Sequence, residues 1–167
     1  MSLSMYQASV PLFIRSLTNM SAFLKKGEAH AKAHKIDPSI LLNARLYPDM
    51  FTLVHQVQIA CDNAKGCPAR LAGLQPPSHP DNEQSFADLY ARIDKTIAYL
   101  KTLKPAQIDG SEDRAIELKM RDHTDHTTGQ PYLIDRVIPN FFFHVTTTYA
   151  ILRHNGVEIG KRDYLGG

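Results

Sequence analysis

The chain has 167 residues, 43% hydrophobic and 22% charged, with 19 basic against 17 acidic side chains. That balance fits one ordinary globular domain, residues 1–167, and excludes collagen-like, disordered and disulfide-scaffold classes. A formal charge of +2 without a Lys/Arg run argues against nucleic acid, and the lack of an apolar stretch of about 18 residues argues against a membrane partner.

The start, MSLSMYQASV, has no basic segment followed by an apolar run, so a cytoplasmic location is expected. Cys61 and Cys67 are six apart, which is neither a redox pair nor a zinc-knuckle spacing. On one helix they would lie about 9 Å apart along the axis, too far for a disulfide unless Gly66 or Pro68 breaks the helix. Free thiols in a reducing compartment are expected.

The first periodic segment runs from about Ser4 to His34. Ser4 and Gln7 read as a capping box. Val10, Phe13, Leu17, Met20 and Leu24 recur at three and four residues, one helix face. Pro11 kinks this helix or marks its true start, and Asp37-Pro38 ends it. Ser39 to Leu46 predicts one or two turns. Pro48-Asp49 opens the second long helix with Asp49 as N-cap, on a stripe of Met50, Val54, Val57, Cys61 and Ala64. Gly66-Cys67-Pro68 is expected to bend or interrupt it, and Gly73 to close it.

The proline-rich stretch Gln75 to Glu83 connects to the third helix. Ser85 and Asp88 cap that helix, Phe86, Leu89, Ile93, Ile97 and Leu100 face inward, and Lys104-Pro105 ends it. Residues 109–128 are polar and turn-rich. Within them Ile116, Leu118 and Met120 alternate with charged residues, predicting a short extended segment near 115–120.

The fourth helix is expected from about Gly129 to Asn155, kinked at Pro139, with Val137, Phe141, Val145, Tyr149 and Leu152 inward. Asn155-Gly156 stops it, and the tail is polar with a turn at Gly160. Four amphipathic helices with almost no strand predict an all-α four-helix bundle. The long connection between helices three and four allows a crossover.

Walker, nucleophile-elbow, zincin and dinucleotide-binding signatures are absent, which leaves the histidines. His30 and His34 have the four-residue spacing of a chelating pair but sit at a helix C-terminus, where cations are favoured anyway. Asp122, His123, Asp125 and His126 gather four potential ligands in a segment read as a loop, either a solvated turn or a lid over a ligand.

His144 differs, because it lies in the most apolar helix. It forms a polar line with Asn140 and Thr148, and such a line at a helix seam needs partners. The second helix offers Gln58 and Asp62, with His55 three residues before Gln58. If those helices face each other, Gln58, Asn140 and His144 converge as a polar layer, a small-molecule pocket or a metal centre.

The segments MYQASVPLFIRSL, LLNARLYPDMFTL, QVQIACDNAKG and PNFFFHVTTTYAILRHNG, with GKRDYLG at the end, resemble the DinB-like (YfiT-like) superfamily, in a bacterial branch described as a domain of unknown function. The resemblance covers nearly the whole chain. It implies an up-down-down-up four-helix bundle with a long crossover, commonly a homodimer. It also implies a divalent metal, often nickel or zinc, held by one histidine of helix two and an H-x-x-x-H pair of helix four. Counted back from Gly156, the second histidine of the pair falls on His144, the first on Asn140, and the helix-two histidine approximately on Gln58. Amide oxygens are poor replacements for imidazole, so no metal is expected unless His55 or Asp62 joins His144.

The functional expectation is a dimeric small-ligand-binding bundle with a degenerate metal site. One alternative is a metal-dependent hydrolase or thiol-transferase-type enzyme using His144. Another is a structural, stress-associated dimer without ligand.

Overall fold

The computed structural model describes residues 3–119 and 122–167. The chain is mostly helical. Four long helices, α1 (Val10–Ala33), α3 (Leu53–Leu71), α4 (Phe86–Thr102) and α7 (Ile138–His154), carry the core. Between them lie α2 (Pro38–Leu42), α5 (Pro105–Ile108), strands β1 (Ala115–Lys119) and β2 (Thr124–Thr128), the short α6 (Gly129–Pro131) and a π-helical turn, Tyr132–Val137. A last helix, α8 (Lys161–Leu165), follows. Helix α3 packs along both α7 and α4, and α1 along α4 and α7. Among the described residues no helix is long and apolar enough to cross a membrane.

The α1 stripe is fully buried, as its period requires. Pro11 stands in the first turn of α1, where its missing N–H costs nothing. Ser4 and Gln7 exchange hydrogen bonds as predicted, but over a separate turn ahead of the helix. Asp37 ends the first segment and also caps α2 through Ser39 N–H at 2.9 Å. The Ser85–Asp88 capping box is present at α4.

Helix α3 begins at Thr52 rather than Asp49. The chain before it stays irregular because Leu53 N–H donates to Ala44 O at 2.9 Å, tying the entry to the end of α2. Pro68 does not break α3. Cys67, Ala69 and Leu71 around it are all fully buried, and that packing offsets the roughly 3 kcal/mol a helical proline costs. Both cysteines are therefore buried free thiols on one helix, and burial pushes the Cys61 thiol up to about 12.

The extended segment predicted near 115–120 is β1, with Ile116 and Leu118 buried. Met120 lies outside the described residues. Its partner β2 (TDHTT) pairs antiparallel in the register Ala115↔Thr128 to Lys119↔Thr124. The fourth helical segment is interrupted. The backbone widens to a π turn directly before Pro139, which cannot donate and would crowd the preceding turn of an α-helix. The polar tail forms α8, held on α1 by Lys26 Nζ–Asp163 Oδ1 at 2.6 Å and by Asn19 donating to Tyr164 O at 3.1 Å.

The expected crossover between the third and fourth long helices is a correction. That connection folds locally into α5 and the hairpin and returns: Gln130 N–H donates to Glu112 O at 2.9 Å. A Cβ on Gly129 would stand 1.9 Å from Ser111 O, so only glycine admits this approach. The connection that travels is the one between α3 and α4. It leaves at Gly73, beside Arg114, and enters α4 at the end where Tyr90 Oη donates to Glu28 at 2.9 Å.

Candidate functional site

Helix α3 carries two polar faces. Gln56, Asn63 and Arg70 are seven residues apart and share the face toward α7. Gln58, Asp62 and Lys65 lie on the side toward α4 and the proline-rich connection.

On the opposite side of the first seam, Tyr132, Arg136, Asn140 and His144 recur every four residues from the π turn into α7. The two rows meet in antiparallel order. Arg70 Nη1 donates to Tyr132 Oη at 3.1 Å. Asn140 Nδ2 donates to Asn63 Oδ1 at 3.1 Å. His144 Nδ1 stands 2.6 Å from Gln56 Oε1. Since Oε1 only accepts, this assigns the ring proton to Nδ1 and leaves the lone pair on Nε2. Burial lowers the His144 pKa, so the ring is neutral at neutral pH. Thr148 donates to His144 O at 2.8 Å, closing the polar line on its own helix.

Beside the Arg70–Tyr132 and Asn63–Asn140 pairs, under β1, lies a cavity of about 240 Å³. Its polar wall is Asn63, Arg70, Lys119, Tyr132, Arg136 and Asn140. Arg136 also binds Asp125 Oδ2 of β2 at 2.7 Å, which fastens the hairpin over the π turn.

The α4 side holds a denser charge cluster. Arg92, 1% exposed at its side chain, binds Asp62 at 2.8 Å, Asp81 at 2.9 Å and Glu83 at 2.9 Å. It also donates to Pro80 O at 3.0 Å. Gln58 Nε2 donates to the other Glu83 oxygen at 2.7 Å, and Lys65 pairs with Asp62. Burial pushes the Glu83 carboxyl up, but the hydrogen bonds from Arg92 and Gln58 and the Arg92 charge outweigh it and hold the group below its usual range. This cluster clamps the proline-rich connection onto α3 and α4.

The five sequence-predicted pocket residues thus divide. His144 pairs with Gln56, and Asn140 pairs with Asn63 at the cavity. Gln58 and Asp62 belong to the Arg92 cluster. His55 sits at the start of α3, its Nδ1 2.9 Å from Thr52 Oγ1 and its ring stacked on Phe51. The residues missed are Gln56, Asn63 and Arg70, whose seven-residue spacing was the available signal, together with Tyr132 and Arg136 ahead of Asn140. His34 turns its Nδ1 back to His30 O at 3.0 Å. Asp122 and His123 lie in the loop ahead of β2, with the His123 ring nitrogens 2.8 and 3.0 Å from Asp122 and Asp125, while Asp125 and His126 stand in the strand rather than in a loop.

The donor set at His144 does not fit a transition metal. It is one imidazole, whose Nδ1 is engaged by an amide oxygen, next to amides that pair with each other. Among the described residues no group of three His, Cys, Asp or Glu side chains is placed to hold an ion.

Comparison with known proteins places this architecture. The crystal structure of a DinB family member protein from Shewanella denitrificans is similar at 42% sequence identity and a TM-score of 0.89, over 97% of this chain and 92% of that one. Among curated proteins none matches. The family model described as "Domain of unknown function (DUF1993)" matches residues 5–165. The chain belongs to the DUF1993 family and is a DinB-like protein.

Proposed function

We propose that this protein is a DinB-like four-helix bundle that binds a small polar ligand in the α3–α7 cavity, with the metal site of the superfamily degenerate. The observation that carries the reading is the row of pairs Arg70–Tyr132, Asn63–Asn140 and Gln56–His144. It sets neutral amides rather than further imidazoles beside His144, next to a cavity with a largely polar wall. Neutral amides orient a ligand without activating it, so binding rather than turnover is the function.

Up-down-down-up order is supported by the ends that meet. Tyr6 N–H, just before α1, donates to Asp109 at 2.8 Å, and Leu71 of α3 approaches Gly129. The chain works as a cytoplasmic homodimer in this reading. An apolar depression formed by Leu46, Phe142, Phe143 and Ala150 supports the dimer, and the buried free thiols support a reducing compartment.

A thermal-shift screen of neutral and charged metabolites tests the binding role. At least one compound is expected to raise the melting temperature by mass action, and Asn140→Leu is expected to abolish that shift. Asn140 is exposed, so this variant should lose less than about 1 kcal/mol of stability. A screen without any saturable shift would leave a structural dimer as the better reading.

A further inference from the structure

Arg70 is the least satisfied cation of the seam. It is half-buried on α3 and its guanidinium lies over Gly66, where a Cβ would come within 2.7 Å of Nη1. The Tyr132 phenol is its hydrogen-bond partner, and among the described residues it forms no ion pair. A guanidinium has five N–H donors in a planar fork, and withdrawing it from water without an acceptor is costly. Arg92, the other substantially buried arginine, has three carboxylates and a carbonyl for the same purpose.

Among the described residues no carboxylate lines the cavity that Arg70 faces, whereas Lys119 and Arg136 do. Asp125 offsets Arg136 from outside and Lys119 is exposed to water, whereas Arg70 is half-buried, so the anchoring charge is Arg70. Asn140 spends one N–H on Asn63 and has a second to donate. The volume, about 240 Å³, lies below that of drug-sized pockets and suits a small metabolite. A π turn supplies Tyr132 and Arg136, and such turns concentrate at functional sites.

We propose that the cavity between α3, β1 and the π turn is an oxyanion site, in which Arg70 grips the carboxylate or phosphate group of a small metabolite. The planar fork matches either group through two parallel hydrogen bonds, with Asn140 donating a third. This rests on the ligand-binding role above and names its chemistry.

Calorimetric titration of the full chain with inorganic phosphate and, separately, with succinate tests the site. Saturable binding of at least one is expected, and which one binds identifies the group. Arg70→Gln should weaken it at least about tenfold, as expected for loss of a charge-assisted bond. Arg15→Gln removes the same charge from an exposed position on α1 and should leave binding unchanged. Arg70→Lys keeps the charge without the fork; it should melt like the parent yet bind more weakly, which preserves the test if the glutamine variant misfolds. Absence of saturable binding of both anions, or equal binding by the Arg70 variants, overturns the oxyanion site. If a neutral compound still binds and Asn140→Leu abolishes it, the oxyanion inference falls while ligand binding stands.

Discussion

Arg92→Met is expected to destabilise the fold by about 3 kcal/mol at neutral pH, the scale seen when one partner of a buried ion pair is removed. Methionine replaces much of the stem but none of the donors. Glu83, only 8% exposed at its side chain, loses its ion pair, and Asp62 and Asp81, both more exposed, lose a shared partner. Lys65 remains beside Asp62 but does not bond Glu83.

The sign of the pH dependence follows from Glu83. Its folded pKa lies below the unfolded value, so its contribution is present above the ordinary glutamate range and is lost as pH falls through the folded value. The difference between parent and variant, measured by urea unfolding, should therefore be larger at pH 7 than at pH 4. Equal differences at both would mean that Arg92 acts through packing alone. The proline-rich connection should also become a protease target, because Arg92 holds it at Pro80, Asp81 and Glu83.

Phe141→Ala is expected to cost about 3–5 kcal/mol, the range for deleting a fully buried aromatic ring, and to lower the melting temperature by roughly 6–20 °C. Phe141 is fully buried. It meets Phe13 of α1 edge-on at 4.8 Å between centroids and Phe142 at 5.3 Å. The loss has two parts, the ring's transfer from water and the cavity its neighbours cannot close. His154→Ala, at an exposed position in the last turn of the same helix, should change stability by less than about 1 kcal/mol. Similar losses in both variants would show that the phase of α7 differs from the one described.

Much of the fold was legible because the physics behind it is local. A three-and-four spacing of Val10 to Leu24 selects one face of α1, Ser85 and Asp88 satisfy each other's turn, and Gly73 and Gly156 take positive φ where helices stop. What could not be read depended on distant partners. Asp49 has the chemistry of an N-cap, but the bond from Leu53 to Ala44 delays the helix to Thr52. The TDHTT of β2 has no inward apolar face, and it is a strand because β1 supplies its partners.

The site divided along the same line. His144 and Asn140 stood out because polar side chains in an apolar helix need partners. Which side of α3 supplies them is a matter of rotation. Gln58 and Gln56 are two residues apart, about 200° around the axis, and both flank a broad buried face. Tertiary packing sets that rotation, and it turned Gln56 to the histidine and Gln58 to Glu83.

Metal content is the most direct check on the paired seam. Untagged protein, exposed to nickel and zinc and then desalted, is expected to retain less than about one tenth of an ion per chain, since a lone imidazole with amide neighbours is a weak ligand set. Stoichiometric nickel or zinc that disappears in His144→Ala would contradict the seam as described and would favour the metal-dependent enzyme instead.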